Sequence, residues 1–175
     1  MQRILTICLS LIIPAMLQGQ EWKTFTDTSV LFTAKYPANW TIKLKEGKRV
    51  FFTSPAENPS DDFLENININ VTTNTGYGTE IIIKDLFPSV TNNLKTAFND
   101  FKLEGQRFFK WNNADAAEII YSGYNKIDTS FKVRMVQWFC FYKTRLYTVT
   151  FTSLSNNTKH NTIARKIMTG IIFRN

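Results

Sequence analysis

Apolar and polar residues alternate along most of this chain, most plainly in FLENININVTT (63–73). There Ile67, Ile69 and Val71 point one way and Asn66, Asn68 and Asn70 the other. That is the period of a strand with one buried face. VLFTAKYP (30–37) reads the same way and ends at Pro37. Residues 40–53 read as a hairpin about an EGK turn at 46–48. SPAENPSDD is a polar loop, and TGYGT is a turn that closes the Asn-rich strand. Further on, KLEGQRFFKW and AAEIIYSGYN flank an NNAD turn at Asn112 to Asp115. FKVRMVQWFCFY and RLYTVTFTS flank Lys143 and Thr144 as a tight hairpin, and Tyr147, Val149 and Phe151 alternate there with Thr148, Thr150 and Thr152.

Two stretches change period. Leu86, Val90, Leu94 and Phe98 recur every four residues, the spacing of one helical face. Asp85 reads as its N-cap, which places Pro88 in the first turn, where a missing N–H is tolerated. A start near Thr79 would put Pro88 in the interior. A second helix begins near Asn157 or Thr158, with Ile163, Ile167, Met168 and Ile171 as its apolar stripe. Arg165 and Lys166 complement its dipole, and a short IIF piece closes the chain. The order of strands, helix, four strands and helix predicts an α+β fold, an antiparallel sheet covered by helices. The asparagine row is expected to face solvent or a wet partner.

The first twenty residues depart from this pattern. Arg3 precedes an apolar run from Ile4 to Leu17, and Gly19 precedes the polar QEW. This is the grammar of a cleavable secretory signal, too short to span a bilayer of about 30 Å. Residues 21–175 are then a single domain, expected to be secreted or periplasmic and monomeric. Cys8 leaves with the leader, so Cys140 remains without an intrachain partner. The other 20 Lys and Arg against 14 Asp and Glu leave the exported part basic by about +6. The cations are spread from Lys23 to Arg174, and export argues against a nucleic-acid role. No second apolar run is long enough for a membrane span.

Candidate chemistry is sparse. His160, the one histidine, lies in the polar lead-in to the last helix and reads as a solvated surface residue. Cys140 sits in WFCFY on an apolar strand, where a cysteine is ordinarily a small buried side chain. Asp61, Asp62 and Glu65 are the densest acidic group. They read as a turn in which Asp61 or Asp62 bonds the local backbone, with a weak divalent-ion site as the sharper alternative. No residues are assigned to catalysis, to a metal or to a cofactor, and no cofactor is expected. Lys43, Lys45, Lys48 and Arg49 crowd the first hairpin. They read as solvated edge-strand cations, or as a docking patch for an acidic partner or lipid headgroups.

LFTAKYPANWTI, then VFFTSPAENPSDDFLENININV, a helix, and finally RLYTVTFTS with a helix and IIF resemble the PsbP-like family of the Mog1/PsbP fold group over roughly residues 25 to 173. The resemblance implies an α/β/α sandwich and a non-enzymatic binding or assembly role. The expectation is an exported, non-catalytic binding or assembly protein of a bacterial envelope, its partner unknown. The alternatives are a carrier of a small apolar or amphiphilic ligand, or a hydrolase using Asp62 and Glu65. The leader makes one immediate prediction: protein recovered after export should begin near Gly19 or Gln20. N-terminal sequencing and intact mass check this, and an exported chain still carrying Met1 to Leu17 would refute it.

Overall fold

The computed structural model describes residues 20–45, 49–73 and 83–174. The leader up to residue 19, the EGK turn with Lys48, and the TGYGT turn lie outside them. Ten strands and two helices are described: β1 (Trp22–Asp27), β2 (Phe32–Pro37), β3 (Thr41–Lys45), β4 (Arg49–Thr53), β5 (Asn66–Thr73), α1 (Ile83–Ala97), β6 (Phe98–Trp111), β7 (Ala114–Asn125), β8 (Lys132–Tyr142), β9 (Arg145–Leu154), α2 (Asn161–Thr169) and β10 (Ile172–Phe173). Seven strands form one antiparallel sheet in the order β3-β4-β5-β9-β8-β7-β6, and β1, β2 and β10 form a second.

Local chemistry explains the turns. Asn112 and Asn113 both take positive φ (48° and 65°), which suits a two-residue hairpin whose twist matches its strands. Trp111 therefore pairs with Ala114, a tighter turn than one running to Asp115. Lys143, at φ 55°, makes the corresponding turn between Tyr142 and Arg145. Between β1 and β2 the Asp27 carboxylate accepts the N–H groups of Ser29 (2.8 Å) and Val30 (3.0 Å). This is an Asx-type turn.

The large sheet has two unequal faces. Ile67, Ile69, Trp138, Tyr147, Val149 and Phe151 line the first and pack against β1, β2 and α2 in the main core. The second face carries a smaller core of Phe98, Ala117, Ile119, Tyr121 and Val133 under Ile83 and Phe87 of α1. Here too lies the asparagine row of β5. Asn66, Asn68 and Asn70 stand opposite Thr152, Thr150 and Thr148 of β9, while α1 packs chiefly on β6, β7 and β8. The polar ladder is only partly buried on its β5 side, in keeping with a wet face. On β9, Thr150 and Thr152 are buried, and Thr150 accepts the Gln137 amide at 2.9 Å.

Both helix starts differ from expectation. Asp85 is not the N-cap of α1 but lies in its first turn, and Pro88 falls inside the helix. Burial of Ile83 and Phe87, one turn apart, favours extending the helix N-terminally despite the backbone bond that Pro88 removes. Phe98 belongs to β6, not to the helix. The second helix starts at Asn161, not near Asn157. Asn157 closes a turn instead, its Oδ1 accepting the Lys159 N–H at 2.9 Å. The small sheet went unforeseen, because periodicity marks strands without naming their partners, and WKTFTD was not recognised as a strand.

A buried long-range bond ties β9 to the turn between β1 and β2. The Tyr147 hydroxyl on β9 donates to the Val30 carbonyl at 2.7 Å, wholly inside the core. Tyr147→Phe should lower stability by about 1 kcal/mol, the net worth of a typical hydrogen bond. Urea denaturation should show a lower midpoint with an unchanged slope.

Candidate functional site

Two carboxylates lie under the covered face of the large sheet, and each gathers polar groups around it. Glu118 on β7 is 3% exposed. It accepts Arg107 Nε at 2.7 Å, Trp138 Nε1 at 2.6 Å and a short bond from Arg165 Nη1 of α2. Burial alone would push this carboxyl upward. Donation from Arg107, Trp138 and Arg165 outweighs it and holds the group below the ordinary glutamate range. A nearby cleft of about 150 Å³ is lined by Arg134, Val136, Phe151, Asn161, Arg165 and Met168. Both of its guanidiniums are already engaged, Arg165 by Glu118 and Arg134 by Glu104 at 2.7 Å.

The second group forms where the β4–β5 loop meets the lead-in to α2. Glu65, just ahead of β5, is 1% exposed. The Asn157 side-chain amide donates to Glu65 Oε1 and to Glu57 Oε1, both at 2.9 Å. Ser54 Oγ donates to Glu65 Oε2 at 3.3 Å. Lys159 Nζ lies 3.3 Å from Glu57 Oε2 at the rim. Hydrogen bonding by Asn157, supported by Lys159 and opposed by partial burial, lowers the Glu57 pKa.

His160 belongs to this group. It is 7% exposed, which corrects the reading of a solvated surface histidine. It occupies the N-cap position of α2 but makes no side-chain cap bond. Its backbone carbonyl accepts the Ala164 N–H instead, at 2.8 Å. That frees the imidazole to turn inward, edge-on to Trp40 with ring centroids 5.8 Å apart. Its Nε2 lies 3.6 Å from Glu57 Oε1 and 4.0 Å from Glu65 Oε2.

The remaining candidates separate. Asp61 makes the local bonds expected of it, accepting the Glu57 and Phe63 N–H groups at 2.8 and 3.2 Å. Asp62 is exposed while Glu65 is buried, so the two do not form a working carboxylate pair. The acidic cluster that assembles is Glu57 with Glu65, and the local acidic density does not mark Glu57 because it sits four residues ahead of the DD–E run. Cys140 is buried, and burial, with Asp115 adding, pushes its thiol up to about 12. Lys43, Lys45 and Arg49 stay exposed at the edge of the large sheet, with Lys45 opposite Arg49 and 4.8 Å above the Phe51 ring.

No protein-family model matches the sequence, and no curated protein matches it. Solved structures do share its architecture. Cyanobacterial PsbP (CyanoP) from Synechocystis sp. PCC 6803 is similar at TM-score 0.59 and 11% identity, over 93% of this chain and 98% of that one. The Ran-binding protein Mog1p of Saccharomyces cerevisiae is similar at TM-score 0.59 and 7% identity, over 89% and 96% of the two chains. LpqN of Mycobacterium tuberculosis, involved in cell envelope biogenesis, is similar at TM-score 0.57 and 10% identity, over 89% and 91%. The chain has the α+β Mog1/PsbP-like fold, shared by proteins of which some are envelope-associated.

Glu118 yields a pH prediction. A carboxyl held below its unfolded pKa of about 4.3 stabilises the fold above that pH, and the contribution is lost as pH falls through the folded value. Glu118→Gln should therefore flatten the acid limb of a stability-versus-pH curve. At pH 7 it should cost about 1.5–3 kcal/mol, the range for hydrogen bonds to a charged group, toward the low end because both guanidiniums are well exposed. Denaturant melts of both proteins from pH 3 to 7 measure it.

Proposed function

We propose that this chain is an exported, non-catalytic binding or assembly protein of a bacterial envelope. The observation that carries the reading is the disposition of its bond-making groups. Cys140 is sealed in the core with its thiol protonated at neutral pH. Ser54, the hydroxyl beside the buried carboxylates, is 2% exposed and gives its hydrogen bond to Glu65, not to the imidazole. A nucleophile needs both access and a base aligned to take its proton, and neither hydroxyl nor thiol has them here. The leader supports export. The fold shared with Ran-binding Mog1p and with LpqN supports a role in binding and in the envelope.

Among the described residues, less supports the carrier reading. The apolar cleft between α1 and the sheet, lined by Ile83, Leu86, Phe87, Val90, Phe139 and Leu146, holds about 60 Å³. Ligand pockets ordinarily run to about 300–1,000 Å³. For a protein partner, the exposed cations of the first hairpin are the docking surface to test. Exported protein used as bait on detergent-solubilised envelope from its own source should capture an acidic partner in stoichiometric amount. Charge reversal at Lys43, Lys45 and Arg49 should reduce that capture roughly tenfold or more. Equal recovery by both baits, or none by either, would remove the proposal.

A further inference from the structure

The geometry points to a divalent transition-metal site formed by Glu57, Glu65 and His160. One donor atom from each lies within 4.8 Å of the others. The second, independent observation is the imidazole itself. His160 is buried, and neither Nδ1 nor Nε2 has a hydrogen-bond partner among the described residues. A histidine withdrawn from water ordinarily satisfies at least one ring nitrogen. This one instead directs Nε2 between two carboxylate oxygens, at 3.6 and 4.0 Å, too far for a hydrogen bond.

Those distances are close to what a shared ion requires. At metal–ligand bonds of about 2.0–2.1 Å, tetrahedral ligands stand roughly 3.4 Å apart. The two imidazole–carboxylate distances exceed this by a few tenths to about half an ångström, and no pair of donors is more than 4.8 Å apart, so closing on a common centre asks for side-chain shifts of roughly an ångström or less. The supporting shell is already in place. Asn157 fixes one oxygen of each carboxylate, and Ser54 holds the other oxygen of Glu65. Outer partners of this kind set ligand orientation in metal sites. The two carboxylates match the charge of a divalent ion, and the partly exposed Glu57 gives an entry path from the rim. One nitrogen and two oxygen donors suit Zn²⁺ and its first-row neighbours. Ca²⁺ and Mg²⁺ take oxygen and gain nothing from imidazole. Bound there, the ion would join the β4–β5 loop to the head of α2.

The test uses exported full-domain protein stripped with chelator and titrated with ZnCl₂ alone. One equivalent should bind at micromolar Kd or tighter, and affinity should fall from pH 7.5 to 5.5 as protons compete for the ligands. Because His160 is the only histidine, ¹⁵N-imidazole NMR reads the site directly, and the Nε2 resonance should shift with metal. Glu57→Gln changes a partly exposed residue and tests the site if His160→Gln fails to fold. It should weaken binding roughly tenfold or more. Absence of binding at 100 µM Zn²⁺ would overturn the assignment. So would binding that leaves the imidazole signals and the Glu57→Gln affinity unchanged, or a preference for Ca²⁺. None of these outcomes bears on the capture of an envelope partner.

Discussion

Two carboxylates buried under one face of a sheet set the terms for the rest of this structure. An ionised carboxylate taken from water is costly unless donors and cations meet it. Glu65 and Glu118 both lie on the face that the small sheet and α2 cover, so whatever covers that face must also supply their partners. The α2 segment does so at two points. Arg165 reaches Glu118 from within the helix, and Asn157 reaches Glu65 from the turn ahead of it. The helix is thereby fixed in rotation and along its axis, beyond what its apolar stripe of Ala164, Ile167 and Met168 would specify. Apolar packing is non-directional, whereas a guanidinium and an amide aimed at fixed oxygens are not.

The opposite face obeys a looser constraint. α1 covers β6, β7 and β8 with Ile83, Phe87 and the partly buried Leu86 and Leu94. Over β4, β5 and β9, partly exposed asparagines stand opposite threonines, and Gln137 of β8 donates to Thr150. The asparagine–threonine ladder is the outcome. Short polar side chains opposite one another can pair across strands, and they spare this part of the sheet the need for a second apolar layer. The division into a dry face and a partly wet one is why the same β5 strand can carry isoleucine on one side and asparagine on the other.

That division was legible in the sequence because it repeats every two residues over many positions. The α+β class, the β3–β4 and β8–β9 hairpins, and the apolar stripe of α2 follow from the same kind of signal. The helix starts were not legible. Asp85 looked like a cap and Asn157 like a helix start, and only the burial of Ile83 and the pull of Glu65 on Asn157 decided otherwise. The candidate site was legible only in part. Glu65 was noticed for its acidic neighbours, yet its working companions are Glu57, eight residues upstream, and His160, 95 residues downstream. No local pattern links residues whose meeting depends on how a loop folds over a helix terminus. A histidine beside a lysine in a polar run looks solvated in any window of sequence. It becomes buried because its carbonyl, not its ring, starts the helix.

The two carboxylate centres differ in how their charge is met. At Glu118 the countercharges are guanidiniums, which stay charged at any physiological pH, so that junction is permanent. At Glu57 and Glu65 the cation paired among the described residues is Lys159, which stands at the rim and is largely solvated. The inner position belongs to the His160 imidazole, whose Nε2 faces both carboxylates beyond hydrogen-bond distance. The middle of α2 is thus pinned by groups that stay charged at neutral pH. The turn ahead of it is held by an amide and a rim lysine beside a buried imidazole that has no hydrogen-bond partner among the described residues, so a surface loop and a helix terminus meet at a junction whose polar groups are not all paired.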